Sequence, residues 1–199
     1  HTCSSFFDMV DKTDEQIQYL RSEQGYFGIK VHTLATRSSP QDVGSGFLTL
    51  LRERNIPITF HTGKEGNVDP RLVIRFAREN PDIRVSLAHL AGLDHDVLTA
   101  ATQVENLFVD TSPFVSICYF GEKGWTRYIA ENIFTCDFSD PVAVMIQLYR
   151  LLPEKLIWGT DDPFSSFSNR KGELVTDFSY QDEIAVLDKL WRGGYKEVV

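Results

Sequence analysis

Short apolar runs along the chain alternate with stretches whose apolar residues return every three or four positions. The runs predict strands at 27–32, 56–61, 83–89, 106–110 and 155–161. Between them, Phe47, Leu48 and Leu51, then Leu72, Val73, Phe76 and Ala77, then Val144, Ile146, Leu148 and Leu151 keep helical spacing. Start signals agree with this reading. Thr13-Asp14-Glu15-Gln16 has the capping-box pattern of a helix over 14–24, and Ser39-Pro40, Asp69-Pro70 and Asp140-Pro141 each place a capping side chain before a first-turn proline. Further helices are predicted over 94–103 and 180–191, whereas the aromatic-rich stretch 114–125 and the polar stretch 165–171 read as connections. Nearly continuous apolar strands, each followed by a helix, imply a parallel sheet covered by helices. No repeat or low-complexity segment interrupts the order, so residues 1–199 are expected to form one domain.

Composition narrows the class without naming a chemistry. The chain has 199 residues, 42% of them hydrophobic, and 20 basic against 28 acidic residues give a net charge of −8. An acidic balance without a basic stripe argues against nucleic acid or an anionic membrane as partner. The sequence has no run of 18 apolar residues, and its start lacks the basic and apolar segments of a secretion signal. Cys3, Cys118 and Cys136 are odd in number and widely spaced, which fits a reducing compartment better than a disulfide framework. The expectation is a cytoplasmic protein acting on a small molecule, with a homo-oligomer possible.

The candidate chemistry lies where the predicted strands end: His32, His61, His89, Asp110 and Asp161. In a β/α barrel these ends open onto one face, where side chains from different strands converge. Three of the five histidines of the chain share this one kind of position. Each has a plainer reading. His61 or His89 can be a core histidine bonded to a carbonyl, and Asp161 and Asp162 can shape the turn before Pro163. Asp110, followed by Thr111-Ser112-Pro113, reads better as a turn residue, and His95 as solvent-facing. Lys30 lies two residues before His32, hence on the same side of its strand, where a buried lysine needs a partner. Arg37 and Lys64 follow strand ends closely enough to meet an anionic substrate.

The segments Gly28-Ile29-Lys30-Val31-His32, Ile58-Thr59-Phe60-His61-Thr62-Gly63, Leu87-Ala88-His89-Leu90-Ala91-Gly92 and Ile157-Trp158-Gly159-Thr160-Asp161-Asp162-Pro163 together resemble the amidohydrolase superfamily, in its amidohydrolase-related (amidohydrolase 2) branch. The resemblance implies an α/β fold, a (β/α)8 TIM barrel of which this chain carries strands four to eight. It implies that His61 and Asp161 bind a divalent metal, most simply Zn²⁺, as one or two ions. His89 would bind a second metal or orient the reacting group, and Lys30 matches a lysine that bridges metals in some relatives. Asp161 and His89 would be the catalytic pair, with His32 and Arg37 facing substrate.

The activity implied is hydrolysis of a lactone, ester or amide by a metal-activated water. The alternatives are a non-oxidative decarboxylase of an unsaturated or aromatic acid, with Arg37 aimed at the carboxylate, and a non-catalytic ligand-binding barrel that has lost its metal. One family feature is missing: no His-x-His occurs in the sequence. About 26 residues precede the first predicted strand, too few for three further βα units of a barrel of about 250 residues. The chain is therefore expected to be incomplete on its N-terminal side.

Overall fold

The computed structural model describes residues 4–5, 28–64, 66–161, 166–168 and 174–198. Six strands form one sheet: β1 Ser4–Ser5, β2 Ile29–Val31, β3 Ile58–Phe60, β4 Val85–Leu87, β5 Leu107–Asp110 and β6 Leu156–Ile157. They pair in chain order and every pair is parallel. From β2 to β6, successive parallel neighbours joined through helices make a wall of a β/α barrel. All five strands expected from the sequence are present, though shorter, because their last residues leave the ladder and turn into the loops of the site. The strand at Ser4–Ser5 was not anticipated, since two residues carry no periodicity. The helix expected over 14–24 lies outside the described residues.

The sheet has two unlike faces. Ile29, Val31, Ile58, Phe60, Val85, Leu87, Leu107 and Val109 are all essentially inaccessible and pack beneath the helices. The opposite face carries Lys30, Thr59, Ser86 and Phe108, which the pairing places side by side. A layer of helices follows the strands: α1 Thr33–Thr36, α2 Ser45–Arg54, α3 Pro70–Glu79, α4 His95–Ala101, α5 Phe114–Lys123, α6 Pro141–Leu151 and α7 Tyr180–Arg192. Asp69 and Asp140 cap α3 and α6 as their Asp-Pro pairs predict, each accepting first-turn backbone N–H groups. Ser39 opens only a short 3-10 turn, Pro40–Asp42, and α2 begins after Gly44.

Two stretches expected to be irregular are regular. The aromatic segment is largely the helix α5, whose Phe114, Ile117, Cys118, Phe120 and Gly121 are buried at three- and four-residue spacing and which ends on a left-handed Gly124. Its period was hidden because the outward positions Val115 and Tyr119 are apolar too, leaving no polar face before Glu122 and Lys123. Within the polar stretch, Ser166–Ser168 (β7) pairs antiparallel with Leu174–Asp177 (β8). Among the described residues no helix is long and apolar enough to cross a membrane.

Candidate functional site

Strand register places the site. Val31, Phe60, Leu87 and Val109 are paired across four strands, so the residues after them, His32, His61, Ala88 and Asp110, stand at one level. Each lies two positions beyond Lys30, Thr59, Ser86 or Phe108 and shares that face. His89 is one residue too late, and simple alternation would send it the other way. It reaches the site through a backbone turn in which His89, Leu90, Ala91, Gly92 and Leu93 all have φ between 49° and 63°. Four of these five are not glycine, and each such residue costs about 1–2 kcal/mol in the left-handed region. Burial of Leu90, Ala91 and Leu93 and a 2.7 Å bond from the Ala130 N–H to the Gly92 carbonyl hold the turn in place. Backbone strain of this kind concentrates at functional positions.

The three histidines form one cluster. The His32 ring stacks on His61 with centroids 3.8 Å apart and planes 13° from parallel, and His89 meets His61 edge-on at 4.6 Å. His89 Nε2 lies 2.8 Å from His61 Nδ1, and His89 Nδ1 lies 2.7 Å from the Ser112 carbonyl oxygen. A carbonyl only accepts, so His89 Nδ1 carries the proton. In the neutral ring Nε2 is then an acceptor, and His61 Nδ1 must donate to it. His32 Nδ1 in turn accepts from the Ala35 N–H at the start of α1.

The electrostatics favour neutral rings. Burial, then His32 and Lys30, push His61 down to about 3. Burial followed by Lys30 and His61 holds His89 well below its ordinary value, and burial lowers His32 as well. Lys30 therefore acts on all three rings, and it also counteracts the burial that raises Asp161 to about 6. Asp110 raises Asp161 further. The structure thus brings His32, His61 and His89 together, with Lys30 acting on all three rings and on Asp161. Arg37 is not brought there: it is exposed, in a left-handed conformation at the end of α1, and no contact joins it to the cluster among the described residues. His95 is half-exposed on α4, and Asp110 shapes a turn, its Oδ1 accepting from the Ser112 N–H at 2.7 Å.

Glu183, on α7, was not anticipated. It is fully buried, its Oε1 accepts from the Val115 N–H at 3.0 Å, and its Oε2 has no hydrogen-bond partner among the described residues. Burial pushes its carboxyl up to about 7, and Asp161 adds to the rise. A signal existed in the sequence: Glu183 occupies the stripe that Val186 and Leu190 continue toward the core, where an apolar residue is expected.

The donors suit a divalent metal in kind. Neutral imidazoles and a carboxylate are what Zn²⁺ takes. Among the described residues no group of three His, Cys, Asp or Glu is arranged around a metal position. The reason is visible in the pair His61–His89, whose facing nitrogens bond each other at 2.8 Å. Two nitrogens on one tetrahedral zinc stand about 3.3 Å apart, given metal–nitrogen bonds of about 2.0–2.1 Å. To hold one ion the two rings would part by about half an ångström, and His61 would move its proton from Nδ1 to Nε2 so that both facing nitrogens offer lone pairs; the pair fits on those terms.

Comparisons with known proteins bear on the family and the fold. A family model described as Amidohydrolase matches residues 5–192. Among solved structures, an amidohydrolase 2 from Bifidobacterium longum subsp. infantis is 15% identical, with 86% of this chain and 56% of that one covered and a TM-score of 0.48. An amidohydrolase from Burkholderia multivorans with bound zinc is 12% identical, with 91% of this chain and 63% of that one covered and a TM-score of 0.50. This chain spans less than two thirds of either structure. No curated protein matches it. The family match runs over nearly the whole sequence, and on that ground this chain belongs to the amidohydrolase family.

Proposed function

We propose that this protein is a metal-dependent hydrolase of a small molecule bearing a lactone, ester or amide bond. The observation that carries the reading is the convergence of His61 Nδ1 and His89 Nε2, both rings kept neutral by burial and Lys30; Asp161 is the carboxylate we assign to the same site. A bound Zn²⁺ would supply Lewis acidity and lower the pKa of a water toward neutrality.

The residues divide the remaining work. His61 and Asp161 are the proposed ligands. The Asp161 carboxylate takes the proton of the attacking water and returns it to the leaving group. His89, locked by the Ser112 carbonyl, presents Nε2 either as a further ligand or toward the substrate carbonyl. His32 stacks on His61 and fixes the plane of that ring. Thr33 donates its hydroxyl to the His61 carbonyl at 3.1 Å, tying the two strand ends together. An arginine aimed at a substrate carboxylate would favour the decarboxylase alternative, and among the described residues no contact brings its candidate, Arg37, to the cluster.

The test is steady-state hydrolysis of a panel of lactones, esters and amides by zinc-loaded protein, with His89→Asn alongside. The variant should keep its fold and lose about 10²–10⁴-fold in turnover, the span of a positioned acid–base or electrostatic group. An unchanged rate would remove His89 from the mechanism, and no turnover with any zinc-loaded substrate class would remove the hydrolase.

A further inference from the structure

We propose that Glu183 is a positioning residue: from α7, it anchors the turn whose Ser112 carbonyl fixes the tautomer and orientation of His89. The inference rests on the reading of His89 as a functional histidine, and its test is independent of turnover. The chain of contacts is short. Glu183 Oε1 accepts the Val115 N–H, in the first turn of α5. Three residues earlier, the Ser112 carbonyl meets His89 Nδ1 at 2.7 Å. The same turn is held from its other side, where Asp110 Oδ1 takes the Ser112 N–H and Thr111 Oγ1 accepts from Gly159. Gly159 packs so closely there that a Cβ on it would lie 2.8 Å from Asp110 Oδ1 and 3.1 Å from Ser112 Cβ.

Glu183 does not earn its place by stabilising the core. A carboxylate taken wholly out of water, with one oxygen unpartnered among the described residues, costs free energy that an apolar side chain of the same size would not. What it supplies, and a hydrophobic residue cannot, is an acceptor aimed across 68 residues of sequence at a backbone donor beside the histidine's own anchor.

The experiment follows the His89 Nδ1 proton by NMR of the metal-free protein, with imidazole nitrogens labelled and the signal assigned by its loss in His89→Asn. A ring N–H held on a buried carbonyl exchanges slowly with solvent. Glu183→Gln keeps the acceptor and should retain the slow proton. Glu183→Met keeps the volume and removes the acceptor; it should fold, yet its His89 proton should exchange about tenfold faster or broaden away, the change expected for one lost hydrogen bond of ordinary strength. Asp140→Ala, which removes the cap of α6 instead, controls for general loosening and should leave the proton slow. The proposal is overturned if folded Glu183→Met holds the proton as tightly as the wild type, if Glu183→Gln loses it, if Asp140→Ala loosens it equally, or if Glu183→Met does not fold at all.

Discussion

At the scale of single residues, the site works by keeping groups uncharged that water would charge. His61 and His89 stay neutral because burial and Lys30 both oppose a proton, while burial makes Asp161 and Glu183 hold theirs to higher pH. Glu183 gives this a testable sign. Its carboxyl moves from 4.5 to about 7 on folding, so between these values the folded chain retains a proton that the unfolded chain has released. Stability contributed by this group therefore falls as pH rises through that window. Glu183→Gln cannot titrate, and its stability relative to wild type in denaturant titrations should improve steadily as pH is raised from 4.5 to above 7. A difference that stays flat across the window would show that the carboxyl is not raised. His61, His89 and Asp161 were legible in the sequence because each closes an apolar run. Glu183 was not, since an acid in a first helical turn is an ordinary dipole partner, and its backbone target is distant in the chain.

At the scale of elements, much of the site is built by loops that bend against local preference. Strand alternation alone places His32 and His61, but His89 arrives only through the left-handed run 89–93. No sequence pattern announces such a run when only Gly92 in it is a glycine. The turn after β5 is similarly tight. Gly159→Ala would press a methyl group onto Asp110 and Ser112, and overpacking of this kind typically costs about 1–3 kcal/mol. Chemical denaturation should show that loss, together with faster exchange of the His89 ring proton; full stability would mean that the turn has room the structure does not show. Caps and strands were predictable because their signals are local. The helix α5 and the hairpin β7–β8 were missed because apolar Val115 and Tyr119 on the helix's outward side left it no polar face and short polar strands carry no period.

At the scale of the whole molecule, parallel pairing in chain order turns His32, His61 and His89, successively 29 and 28 positions apart in sequence, into neighbours on one rim. The parallel α/β class was readable from alternation of strand and helix, and the barrel from the resemblance of the four motifs; the clustering of His32, His61 and His89 needed the register, which only tertiary pairing sets. The account stands on a metal held at that convergence. Its most direct measurement is the zinc bound per chain after loading and exhaustive dialysis of purified protein, by elemental analysis, for wild type, His61→Ala and Asp161→Asn. The account predicts about one equivalent or more in the wild type, as a structural or catalytic zinc of ordinary affinity would give, and a clear loss in both variants. Less than about a tenth of an equivalent in folded wild-type protein, or full retention in both variants, would contradict it.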